Sequence, residues 1–248
     1  MLNHRLSALD ALLDEANEVW LSIPSWRRRD WSLLQRRAWI FHELQLEGVA
    51  LVPEDIERAL SGEVGTDWCD GVLLDRIRRC AELLATVHDQ GRDQAPLTED
   101  TLSCWQMALE PSSEPSSLRG NEGPTEHYKH DVLSKDEVPS AFRGLLEEVS
   151  SRSELDHPVT LASFFVFRLM RIWPWSSWSG LVARLGASVL LIGGGFPPLI
   201  IPAGERVNFY QAMHYDPTRM DELVVRCLRE QLEAMRSFAH VPISGPSR

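Results

Sequence analysis

The stretch from Pro158 to Ile172 is apolar on nearly every side when wound as a helix. A helix with that pattern cannot face water and must lie at the centre of a protein, wrapped by other elements. A second stretch of the same kind runs from Gly180 to Ile192 and stops at Gly193-Gly194-Gly195. Two such helices, close in sequence, demand a shell of amphipathic partners. The longest apolar stretch, Leu185 to Ile192, is far short of the ~20 residues that span a bilayer, so it reads as core. With 248 residues, 44% of them hydrophobic, the chain has material for one large core.

The rest of the sequence supplies that shell. Leu2, Leu6, Leu9, Leu13, Ala16 and Trp20 share one face, and Pro24 closes the segment. Trp31, Leu34, Ala38, Phe41 and Leu44 repeat the spacing up to Gly48. Pro53-Glu54-Asp55 opens a short helix, proline and acids being favoured at a first turn. Further helices are predicted over 72–87, 97–109, 137–149, 204–214 and 217–238. The fold class is therefore all-α, with at most a short β-hairpin near Tyr128–Leu133. Residues 111–127 are a Pro, Ser, Gly and Glu-rich loop, and 241–248 a frayed, disordered tail. The organisation expected is N-terminal helices over 1–62 and a core over 68–240.

Charge and cysteine content exclude whole classes. The chain has 25 Lys and Arg against 36 Asp and Glu, a net charge of −11, which argues against nucleic acid as a partner. Cys69, Cys80, Cys104 and Cys227 have neither CxxC spacing nor a nearby His, so they read as free thiols, with no metal site. The N-terminus lacks a signal-peptide pattern. These features predict a cytoplasmic protein with no membrane segment.

The chemistry-bearing segment joins the two apolar helices: Arg171-Ile172-Trp173-Pro174-Trp175-Ser176-Ser177-Trp178-Ser179-Gly180-Leu181-Val182-Ala183-Arg184. A helix start with serines beside free backbone N–H groups is an anion-binding geometry, which makes Ser176, Ser177, Ser179, Gly180 and Arg184 ligand-binding candidates. Trp173, Trp175 and Trp178 are aromatics able to stack a purine or to fill an empty cleft.

This segment resembles the motif of the Fic (Fido) domain family: His-Pro-Phe, an acidic position, Gly-Asn-Gly-Arg, two residues and Arg. Downstream, Gly195-Phe196-Pro197-Pro198, Glu205-Arg206 and Phe209-Tyr210 continue the resemblance, and His157-Pro158 opens the preceding helix in the family's manner. Upstream, Phe41-His42-Glu43-Leu44-Gln45-Leu46-Glu47-Gly48 resembles the family's inhibitory helix, Ser/Thr-x-x-x-Glu-Gly/Asn, here placed at about 31–48. The resemblance implies a Fic-like helical bundle with its inhibitory helix in the same chain. It also implies that Glu47 pairs with Arg184, the second arginine of the motif.

The departures fall on the catalytic positions. The family histidine falls on Trp173, the phenylalanine on Trp175, the metal-binding acid on Ser177, the asparagine on Ser179 and the first arginine on Leu181. Indole offers no basic nitrogen, serine is a poor Mg²⁺ ligand beside a carboxylate, and leucine has no charge for a phosphate. Loss of a general base alone costs ~10²–10⁴-fold in rate. The resemblance, so modified, implies a degenerate Fic-domain protein without ordinary AMP transfer: a pseudoenzyme of a bacterial-type nucleotidyltransferase family. It would act by binding a protein partner or a small anionic ligand, ATP or another nucleotide among them, without Mg²⁺. Two alternatives stand beside it. One is a diverged transferase using a nucleotide, phosphocholine or sugar-nucleotide donor and substitute groups such as His127, His130 and Asp131. The other is an oligomerising module, a homodimer for example, built on an exposed apolar face of residues 2–20. Tyr210, Tyr215, Arg206 and Arg219 are the residues that would retain affinity for the base and ribose.

Overall fold

In the computed structural model, which describes residues 2–110, 118–119 and 131–240, with the Tyr215 side chain left out, the described residues form ten α-helices, one 3₁₀ turn and no strand. The helices are α1 Leu2–Ser22, α2 Ser25–Leu46, α3 Pro53–Leu60, α4 Trp68–Arg92, α5 Glu99–Leu109, α6 Val138–Arg152, α7 Pro158–Ile172, α8 Ser179–Gly193, α9 Arg206–Tyr215 and α10 Pro217–His240. The 3₁₀ turn is Ala203–Glu205. The loop predicted over 111–127 and the hairpin near Tyr128–Leu133 fall largely outside the described residues, as do the tail 241–248, His127 and His130.

The two all-apolar segments form the centre as their composition requires. In α8 every residue from Ser179 to Val189 is buried. α7 packs more extensively against α8 than any other two helices pack together. A glycine allows this approach: a Cβ at Gly186 would lie 2.2 Å from a ring carbon of Phe165, so the phenyl ring of α7 occupies that space. α4 covers another side of α8, α10 covers α7, and α1 lies on α10. The apolar face of α1 is thereby spent inside the bundle, with Leu6, Leu9 and Ala16 buried. One continuous apolar cluster runs from Leu6 to Leu232.

Local sequence explains the ends of these helices. His157 caps α7, its Nδ1 accepting from the Val159 N–H at 3.2 Å while Nε2 meets Asp10 Oδ1 of α1 at 3.0 Å. Pro158 takes the first position, where no backbone donor is needed. α4 starts four residues before the expected Val72 because the Asp67 side chain accepts from the Asp70 N–H, a cap that fixes the helix start. α2 ends at Glu47 and Gly48, the latter at φ 82°, a left-handed conformation that glycine adopts without strain. That stop leaves Glu47 on the last turn, facing α8.

Ser188 of α8 ties down the Gly-Phe-Pro-Pro segment. Its hydroxyl donates to the Arg184 carbonyl at 2.9 Å and accepts from the Leu199 N–H at 3.1 Å. No helix of the described residues is long and apolar enough to cross a membrane.

Candidate functional site

The turn between α7 and α8 is built around two left-handed residues that are not glycine. Trp173 has φ 50°, ψ 67° and ends α7; Trp178 has φ 63°, ψ 5° and begins α8. Bulky residues rarely adopt this conformation, and packing must hold them there. Trp173 and Trp175 are each 1% exposed. Trp175 meets Phe142 of α6 edge to face, with centroids 5.4 Å apart. Trp178 is half-buried beneath the Arg76 guanidinium, 5.2 Å from its ring.

Two of the three serines expected to receive an anion, Ser177 and Ser179, are engaged with the protein itself. Ser179 Oγ accepts from the Trp175 N–H at 3.0 Å and donates to the Trp175 carbonyl at 2.9 Å, closing the turn on itself. Ser177 Oγ donates to a carboxylate oxygen of Glu110 and lies 3.4 Å from the Gln106 amide nitrogen. Gly180 is buried and Ser176 exposed. A phosphate approaching this turn would meet the Glu110 carboxylate. Ser177, a neutral hydroxyl and a poor Mg²⁺ ligand, stands where the resemblance puts the family's metal-binding acid, and the Glu110 carboxylate beside it is bonded to that hydroxyl. Among the described residues no group of three or more His, Cys, Asp or Glu is placed to hold a metal.

Arg119 holds the turn from the other side. Its Nε donates to the Trp173 carbonyl at 2.7 Å, and Nη2 donates to the carbonyls of Leu133 and Ile172. Its own backbone N–H donates to the Pro174 carbonyl at 2.7 Å. A guanidinium therefore sits at the C-terminal end of α7, where the helix dipole favours positive charge. Burial pulls its pKa below the ordinary arginine value.

The pair between Glu47 and Arg184 forms, with Nη2 to Oε1 at 2.9 Å. Arg184 also holds a second carboxylate, its Nε donating to Glu43 Oε2 at 2.7 Å. The Arg184 side chain is 0% exposed and Glu43 1%. Phe209 of α9 covers the guanidinium at 5.7 Å. Two buried carboxylates thus face one cation. Burial pushes the Glu43 carboxyl up to about 7, the attraction of Arg184 opposing that rise and the repulsion of Glu47 adding to it. Glu43 Oε1 has no hydrogen-bond partner.

Arg206 Nε donates to Tyr210 Oη at 2.6 Å. The Arg219 N–H donates to the Asp216 carbonyl at 3.0 Å. Asp131 is exposed. His42 Nδ1 accepts from the Ala203 N–H at 3.2 Å, and burial lowers its pKa. Sequence reasoning missed Glu43 as a partner of Arg184, Arg119 as a support of the turn, and Glu110 as a neighbour of Ser177. Of these only Glu43 left a signal, since it lies one helical turn from Glu47 on the same face.

No family model matches the sequence. The sequence is 30% identical over 115 residues to the protein adenylyltransferase Fic of Nematostella vectensis, a match covering 42% of this chain and 27% of that protein. The chain thus spans little more than a quarter of the length of that curated relative. Among solved structures, a Fic-domain-containing signaling protein from Bacteroides thetaiotaomicron superimposes with a TM-score of 0.82 at 16% identity, covering 95% of this chain and 96% of that one. A Fic-1 fragment from Caenorhabditis elegans gives 0.79 at 17% identity, covering 95% and 71%.

Proposed function

We propose that this chain, whose fold is that of solved Fic-domain proteins, is a catalytically silent member of that family that works by binding a protein partner. The observation that carries this reading is the state of Arg184. It is fully buried and engaged by Glu43 and Glu47 together, so a phosphate would have to displace two carboxylates from a desolvated site. Breaking a buried pair from one side costs ~3–5 kcal/mol, more than one added phosphate contact returns. The turn adds no compensating group. Trp173 cannot take a proton from a hydroxyl, and the Ser179 hydroxyl is consumed by the Trp175 backbone. An open serine-lined cleft would have favoured the anionic-ligand reading, and an exposed apolar face on α1 the oligomeric one; the turn is closed and that face lies on α10.

The test is calorimetric titration and thermal shift of the purified chain with ATP, CDP-choline and a nucleotide-sugar, each with and without Mg²⁺. The expected result is no heat and no shift at millimolar nucleotide. A saturable shift of several degrees with one of them would replace this reading by that of a diverged transferase.

A further inference from the structure

A cleft of about 960 Å³ lies at the end of α8 opposite the Trp-Pro-Trp turn. At ~1.5 Å per residue, the length of α8 puts it on the order of 20 Å from Ser179. One wall is α6; the other is the connection from α4 to α5, held by Gln94, whose side-chain amide donates to the Gly193 carbonyl at 3.1 Å. The floor is apolar, formed by Leu146, Val149, Leu161 and Val189. Glycine makes this end compact, since a Cβ at Gly194 would lie 2.3 Å from Pro158 Cγ.

The charges around that floor are one-sided. Glu99, Glu147 and Glu154 line the cleft against a single basic residue, Arg143, and all four are exposed. The ion pairs of this region use Glu148, Arg152, Asp156 and Arg168 and leave those four aside. The C-terminal end of α8 adds its own negative dipole to the three carboxylates. Next to Glu154, Leu155 is 82% exposed. A volume near the upper end for small-molecule sites, an apolar floor and a rim of free carboxylates suit a chain segment better than a compact metabolite.

We propose that this cleft docks a basic segment of a protein partner, its apolar side chains on the Leu146, Val149 and Val189 floor and its Lys or Arg side chains on Glu99, Glu147 and Glu154. This deepens the partner-binding reading above and rests on it. The net charge of −11 would speed the encounter, and the three glutamates would fix its place.

The probe is a model amphipathic peptide of leucine and lysine, with its leucine and glutamate counterpart, titrated into the full chain carrying labelled Leu and Val methyl groups. The lysine peptide is expected to bind and shift the methyl signals of Leu146, Val149, Leu161 and Val189; the glutamate peptide is expected not to bind. The combined variant Glu99→Gln, Glu147→Gln, Glu154→Gln should weaken binding about tenfold, each exposed charge contact giving a factor of ~1.5–5. The combined variant Asp14→Asn, Glu18→Gln, Asp30→Asn removes equal charge elsewhere and should change affinity by less than about twofold. Equal weakening by both variants, methyl shifts confined to another face, or no binding would overturn the cleft. AMP incorporation measured on the same samples separates the two readings. Labelling with peptide binding intact would sink the silent motif and keep the cleft, whereas loss of binding without labelling sinks the cleft alone.

Discussion

Arg184 Nε and Glu43 Oε2 lie 2.7 Å apart with both side chains essentially removed from solvent, so α2 and α8 are joined by a charge pair inside the core. Glu47 completes the arrangement from the last turn of α2. The two glutamates are not equivalent. Glu47 keeps 8% of its side chain exposed, whereas Glu43 keeps 1% and has one unpartnered oxygen. Replacing Arg184 by Leu leaves two carboxylates buried side by side, and the expected loss is ~3–5 kcal/mol, read by urea unfolding. Glu43→Gln keeps the shape and removes a carboxyl already easily protonated, so its cost should stay within ~1 kcal/mol at pH 7.

The same carboxyl sets a pH dependence. Glu43 sits near 7 in the fold, above its ordinary 4.5, so the unfolded chain gives up this proton more readily. Its contribution is fully present below about 4.5 and is lost as pH rises toward 7. His42 acts in the opposite sense: burial lowers its pKa below 6.5, and its contribution is lost as pH falls from 6.5 through the lowered value. The difference in unfolding free energy between wild type and Glu43→Gln isolates the glutamate. That difference should favour wild type most at low pH and decline between 4.5 and 7; a flat difference would contradict the assignment.

Arg119 makes a separate prediction. Its guanidinium serves the carbonyls of Trp173, Ile172 and Leu133, which are left without that donor in Arg119→Met. An unsatisfied buried polar group costs ~1–3 kcal/mol, so a loss of that order is expected. Amide exchange at Trp173 and Trp175 should quicken in the variant. Arg119→Lys should recover only part of the loss, because an ammonium cannot reproduce the fork.

Much of the framework was legible in the sequence. All-round apolarity marks α7 and α8, and Pro158 and Gly193 bound them, because burial and backbone constraints act locally. The Glu47 and Arg184 pair came from resemblance to a family motif, residue by residue. What could not be read is what depends on distant chain segments. Arg119 lies within a stretch that reads as a Pro, Ser, Gly and Glu-rich loop, yet the residue is only 8% exposed and its side chain reaches the end of α7. Carbonyl contacts of that kind leave no periodic trace. The closure of the turn by Ser179 was equally hidden, since a serine beside a helix start reads the same whether it bonds an anion or its own backbone.

Packing between the central helices is testable at Gly186. Alanine would gain about 1 kcal/mol in helix propensity, but its Cβ would fall within 2.2 Å of the Phe165 ring. Overpacking of a close-packed core costs ~1–3 kcal/mol, so Gly186→Ala should lower the melting temperature. The double variant Gly186→Ala, Phe165→Leu should recover part of that loss.

The most direct measurement of the central claim is AMP incorporation from α-labelled ATP by the variant Glu43→Ser, Glu47→Gly, which frees Arg184 from both carboxylates. Trp173, Ser177 and Leu181 stand where the resemblance puts the base, the metal-binding acid and the first arginine, so on the proposed reading label in this chain and in added protein targets should stay at the level of the ATP-only blank. Incorporation above that blank, in the variant or in wild type, would contradict the account and make this chain a transferase with substitute groups.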